Sequence, residues 1–168
     1  GTWTYKADHK QGDNSNTQFA LLALHEAERF HEAIVVDPVV WERTLNYFRR
    51  TQNADGSWGY SRNATTGTGS MTCAGLTGLI IGIGKMPERE ALERGRLRCC
   101  GDLPDDVQLR RGLDWLSRNF SVTKNPGAAQ GWLMYSLYGI ERVGRLSARR
   151  FIGTFDWYRL GSEHLVRT

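Results

Sequence analysis

The sequence predicts an all-α fold: three helical hairpins side by side, with inner helices in one layer and outer helices in another. Three observations carry this. Apolar residues recur with helical period along most of the chain, and strand-like alternation is almost absent. Helices that are apolar nearly all round alternate with amphipathic ones. The chain also matches itself. "LNYFRRTQ" (Leu45 to Gln52) lines up with "LDWLSRNF" (Leu113 to Phe120) and with the last seven residues, "SEHLVRT" (Ser162 to Thr168). "LHEAERF" (Leu24 to Phe30) matches "LYGIERV" (Leu137 to Val143), and "TQFALLA" (Thr17 to Ala23) lies over "MTCAGLT" (Met71 to Thr77). A period of roughly 55 residues divides one domain, 1–168, into units of about 14–58, 68–122 and 126–168.

Taken in order, Asn16 to Phe30 is alanine- and leucine-rich and predicts the first inner helix. Asp37-Pro38 opens the second helix, an N-cap followed by proline at the first helical position. Its Trp41, Leu45, Phe48 and Gln52 form one stripe. Asn53 to Gly69 is turn chemistry. Ser70 to Gly84 predicts a buried helix whose glycines permit close packing. Pro87 to Arg98 reads as a short charged helix on the surface. Pro104 to Phe120 is amphipathic, with Leu109, Leu113, Leu116 and Phe120 in register. Asn125-Pro126-Gly127 breaks the chain, Gly131 to Val143 is apolar and aromatic, and Thr154-Phe155-Asp156 starts a last helix.

The bulk numbers exclude several classes. Apolar residues make up 40% and charged residues 24% of the 168, as in ordinary globular domains. A net charge of +4 on a mixed-sign surface does not argue for nucleic acid. No run of about 18 apolar residues offers a membrane span. The three cysteines, Cys73 and the adjacent Cys99 and Cys100, point away from a disulfide framework and toward a reducing compartment. They lack the paired spacing and nearby histidines of a zinc site, so no metal and no cofactor is expected.

Between the second and third helices stands "QNADGSW", a glutamine at a helix end followed by Gly-x-Trp: Gln52, Gly56 and Trp58. An amide can donate to the open carbonyls of a helix end, glycine lets the chain reverse, and an indole supplies a flat face and one N–H. The unit reads as a structural tie between hairpins. Gly1 and Trp3 of "GTW" align with Gly56 and Trp58, and Thr168 aligns with Thr51, one residue before the glutamine. Both ends therefore fall inside the motif, which predicts a segment of a longer array. Phe120 replaces the glutamine in the third copy, so that joint is expected to rest on apolar contact.

A glutamine closing a helix before Gly-x-Trp resembles the repeat of the squalene–hopene cyclase and prenyltransferase superfamily. "NTQFALLAL" and "GSMTCAGLTGL" resemble its inner helices. The resemblance implies an α/α toroid, usually of about six hairpins round a central cavity, of which this chain would be an arc. The family's catalytic motifs do not carry over. The Asp-x-Asp-Asp acid of the cyclases is missing; Asp102-Leu103-Pro104-Asp105-Asp106 has the wrong spacing and reads as a helix N-cap. No aspartate and histidine join Cys73 as a prenyltransferase zinc triad. "CCGDL" at Cys99 lacks the glutamine of the complement thioester, which excludes that relative by fold. "HEAERFH" misses the spacing of a zinc-protease helix, and "GIGK" is not a phosphate loop.

Two functions follow as expectations. In the first, the chain is a non-catalytic module of a larger protein, serving interaction or cavity formation. In the second, it is part of a terpene-cyclase-like or prenyltransferase-like enzyme whose catalytic residues lie elsewhere. Asn14, Asn16, Gln18, Thr72, Cys73 and Gln130 at inner-helix starts, with Trp132, Tyr135 and Tyr138, either line a cavity for an apolar or isoprenoid ligand or are ordinary capping and core residues. An arc also predicts apolar flanks, around Phe19–Trp41 and Phe155–Tyr158, that are covered by the rest of the same polypeptide or by self-association.

Overall fold

The computed structural model describes residues 1–6, 11–94, 106–129 and 131–168, with the backbone alone for 87–94. The readings at Cys99, Cys100, Asp102 to Asp105 and Gln130 lie outside these residues. The fold is all-α. The helices are α1 (Asn14–Phe30), α2 (Pro38–Thr51), α3 (Gly69–Arg94), α4 (Val107–Arg118), α5 (Leu133–Leu146) and α6 (Trp157–Arg167). Between α5 and α6 a short antiparallel ribbon, β1 (Phe151–Ile152) and β2 (Phe155–Asp156), pairs Phe151 with Asp156 and Ile152 with Phe155.

Aspartates start four of the helices. Asp13 accepts the N–H of Asn16, Asp37 that of Val39, Asp106 that of Leu109 and Asp156 that of Arg159, at 2.9 to 3.1 Å. Each such cap is worth about 0.5–2 kcal/mol. Several boundaries shift by two or three residues, and two differences from the sequence reading have a physical cause. The charged stretch after Pro87 is not a separate helix, because α3 runs on to Arg94. Proline removes one N–H, but no turn residue intervenes and Glu88 to Glu93 are mostly strong helix formers. The last helix starts at Trp157, since Phe155 and Asp156 are held in the ribbon.

The core centres on α3, against which α1, α2, α4 and α5 all pack. Its glycines decide how closely. A methyl group built on Gly75 would lie 2.3 Å from the Trp58 ring, one on Gly78 2.2 Å from the Phe48 ring, and one on Gly82 2.9 Å from Leu45. Bulky side chains of α2 and of the following loop therefore rest directly on the α3 backbone. Trp58 and Phe48 are fully buried.

One set of contacts occurs twice. Gly1 lies against the backbone carbonyl of Arg43, and Gly56 against that of Arg111. The Trp3 N–H donates to Thr17 Oγ1 at 3.1 Å, and the Trp58 N–H to Thr72 Oγ1 at 3.3 Å. The Trp3 carbonyl accepts from the Asp13 N–H, and the Trp58 carbonyl from the Thr68 N–H. These pairs set Thr17 opposite Thr72, one residue beyond Met71, where letter matching places it.

Gly78→Ala should lower stability by about 1–3 kcal/mol, because the added methyl meets the Phe48 ring. Gly84→Ala, in the same helix with nothing within 4 Å, should be neutral or stabilising by up to about 1 kcal/mol. Denaturant melts compare the two. Equal effects would show that the glycine contacts do not limit the packing.

Candidate functional site

The loop from Gln52 to Trp58 is fastened at both ends. The sequence reading aimed the Gln52 amide at the last carbonyls of its own helix, and the structure corrects this. Gln52 Nε2 donates to the Gly56 carbonyl at 3.0 Å and to the Gln108 carbonyl, in the first turn of α4, at 2.8 Å. The open carbonyl of α2 is served instead by Trp58, whose Nε1 donates to Phe48 O at 2.9 Å. The indole meets Gly75 of α3 and Gly112 of α4. Gly56, at φ +97°, permits the reversal and the approach to Arg111.

Side chains of α4 then grip the loop. Arg111 donates to the carbonyls of Asn53 and Ala54, Trp115 Nε1 to Asp55 Oδ2 at 2.9 Å, and Arg118 to the Asp55 carbonyl. Arg49 of α2 pairs with the Asp106 cap at 2.7 Å. Burial raises the Asp55 pKa, but hydrogen bonds from the Ser57 hydroxyl and N–H and from Trp115 outweigh it and hold the carboxylate below its ordinary 3.8. In the third joint Phe120 stacks on Phe155, centroids 4.7 Å apart and planes 10° off parallel, an apolar contact in place of the amide.

A second group gathers where α1, α3 and α5 begin. Asn14 is buried; its Nδ2 donates to Gly59 O at 2.8 Å and its Oδ1 accepts from the Tyr47 hydroxyl at 2.8 Å. Asn16 completes the Asp13 cap. Buried Gln18 accepts from the Tyr135 hydroxyl at 2.6 Å and faces Thr77 Oγ1 at 3.5 Å. Thr72 receives the Trp58 N–H, and Cys73 packs beneath Gly139. Burial pushes the Cys73 thiol and the Tyr135 phenol well above their ordinary ranges, so neither ionises near neutrality.

Phe19 lies parallel to Tyr135 and Tyr138 at 5.7 and 5.8 Å, and the Arg142 guanidinium covers Tyr138 at 5.4 Å. Of the apolar flank expected around Phe19–Trp41, Phe19 is 51% exposed although stacked on α5, whereas Trp41 is buried on α3. Trp132 is 73% exposed and precedes α5 in the left-handed region, φ 60°, without a capping hydrogen bond. The basic turn at Arg149 and Arg150 borders an open pocket of about 430 Å³ with Leu113, Asp114 and Ser117. It lies apart from both groups, and Arg150 there is already paired with Asp156.

Among the described residues, no three His, Cys, Asp or Glu side chains gather as a metal site, and no helix is long and apolar enough to cross a membrane. Most polar groups of the sequence-predicted set are engaged in fastening one segment to another. Compared with protein-family models, curated proteins and solved structures, the chain matches none.

Gln52→Glu places a carboxylate against two carbonyl oxygens and should cost more stability than Gln52→Ala, itself about 1–3 kcal/mol. Trp58→Phe should cost about 1–3 kcal/mol by orphaning the buried Phe48 carbonyl. Urea titrations give both values, and a harmless Gln52→Glu would remove the assigned donor role. Because the Asp55 pKa is depressed in the fold, its stabilisation is present above 3.8 and is lost as pH falls through the lower folded value. Asp55→Asn should flatten that acid limb in melts below about pH 4.

Proposed function

We propose that the chain is a non-catalytic repeat module: three αα-hairpins, α1–α2, α3–α4 and α5–α6, forming an arc of an α/α toroid and serving interaction or cavity formation within a larger protein. The recurrence of the Gly1–Trp3 contacts at Gly56–Trp58 carries this reading. Two Gly-x-Trp stretches meet the hairpin that follows them in the same way, the glycine on an arginine carbonyl of its second helix and the tryptophan N–H on a threonine hydroxyl of its first, as units of a stacked array do. The chemistry at the joints is hydrogen bonding and stacking, which builds a scaffold rather than moving a proton or a group.

A second reading draws on Phe19, Tyr135 and Tyr138. Their parallel rings offer an apolar surface for an isoprenoid-like ligand, in a chain whose catalytic residues lie outside this segment.

Placing a copy of residues 1–55 ahead of Gly1 sets Asp55 before a Gly-x-Trp and rebuilds the whole Gln52 motif at the new boundary. A repeat module should accept this extra hairpin and unfold in one transition at a higher temperature. A separate low-temperature transition for the added segment would sink the repeat reading. Isoprenoid diphosphates should leave the Tm of the natural chain unchanged; saturable stabilisation abolished by Tyr138→Ala would favour the second reading.

A further inference from the structure

The packing of α2 on α3 is a template that occurs once complete and once divided between the two ends of the chain. In the complete version, Trp41, Leu45 and Phe48 of α2 are buried on α3, with Phe48 over Gly78, Leu45 over Gly82 and Lys85 lying 5.9 Å from the Trp41 ring. The match of Ser162–Thr168 to Leu45–Thr51 sets Tyr158, Ser162 and Leu165 of α6 in the places of Trp41, Leu45 and Phe48. No residue of α6 is buried; Tyr158 is 68% and Leu165 52% exposed. The pairing of Thr17 with Thr72 carries Ala23, Ala27 and Phe30 of α1 to Gly78, Gly82 and Lys85. There too the surface is open: Ala23 is exposed, Ala27 partly so, and Phe30 is 90% exposed. One end thus presents the ridge without its groove, and the other the groove without its ridge.

We propose that α6 of one chain docks on α1 of a second copy and repeats the α2–α3 contact between molecules, an inference that rests on the repeat-module reading. Leu165 then lies over Ala23, Ser162 over Ala27, and Tyr158 against Phe30. The volumes compensate. Each alanine adds a methyl where α3 has glycine, and each partner is smaller than its α2 counterpart: leucine for Phe48, serine for Leu45. Charge favours the same pairing. From α5 to the end of α6 there are six arginines against Glu141, Asp156 and Glu163, whereas α1 and its following loop hold Glu26, Glu28, Glu32 and Asp37 against Arg29. Two α6 faces would repel each other. The contact joins two different surfaces, and so links copies head to tail.

Sedimentation of the whole chain tests this, loaded at about 100 μM, well above a micromolar Kd. The natural chain should sediment at twice the 19.0 kDa of one chain or more. Leu165→Glu and Ala23→Glu each alter an exposed position, so each should fold with an unchanged circular dichroism spectrum yet weaken association by about tenfold or more. Mixing the two variants should restore association, because each retains the face the other has lost. A natural chain that stays monomeric overturns the proposal, as does continued association of either variant alone or failure of the mixture to combine. If the duplicated chain described above gains stability while the natural chain is monomeric, the docking fails and the repeat reading stands. If the duplicated chain gains nothing, the repeat reading itself has failed.

Discussion

The α3 backbone is the surface on which everything else is measured. Three glycines, Gly75, Gly78 and Gly82, remove the side chains that would hold α2 and the Trp58 loop away, and the indole, the Phe48 ring and Leu45 fill the space. In a helix interior each glycine costs up to about 1 kcal/mol against alanine. Burying a large apolar side chain returns about 1.5–3 kcal/mol. The trade is favourable only if the rings arrive in register, and the polar joints set that register. Gln52 fixes the end of α2 against the start of α4, and Trp58 both closes the last turn of α2 and lies between α3 and α4.

The polar residues at the starts of α1 and α3 belong to the same scheme. Asn14 ties Tyr47 of α2 to the loop at Gly59, and Gln18 ties Tyr135 of α5 to Thr77 of α3. Buried amides with partners on both sides stabilise modestly when satisfied and cost dearly when one partner is removed. This explains how asparagine, glutamine and threonine come to sit on helices that are otherwise apolar. It also places the aromatic trio of Phe19, Tyr135 and Tyr138 on a rigid support.

Much of this was legible in the letters, and the rest was hidden for particular reasons. Most of the helices, the caps at Asp37 and Asp106 and the apolar substitute at Phe120 follow from local pattern, because each depends on residues close in sequence; the Asp13 cap escapes a reading that starts α1 at Asn16. The partner of Gln52 does not, since Gln108 is distant in the chain and presents only a backbone carbonyl, which any residue carries. The shift from Met71 to Thr72 escaped letter matching because apolar helices tolerate many alignments, whereas the Thr17 and Thr72 hydroxyls admit one. Pro87 was read as a boundary by local rule, and the flanking helix formers carried α3 through it. Among the candidate residues, Gln18 and Tyr135 are named by the sequence but their hydrogen bond is not, because α1 and α5 are distant parts of the chain.

Both joints mix hydrogen bonds with ring contacts. At the first, Gln52 and Trp58 donate to backbone carbonyls while the Trp58 ring is buried on α3; at the last, the Phe120–Phe155 stack stands beside the hydrogen bonds of Asn125 to Ser70 and of Trp157 to the Arg149 carbonyl. Apolar contact weakens as water cools, while hydrogen bonds do not follow that trend. Each joint combines the two, so chilling weakens the ring contacts at Trp58 and at Phe120 while the hydrogen bonds beside them keep the helices in register.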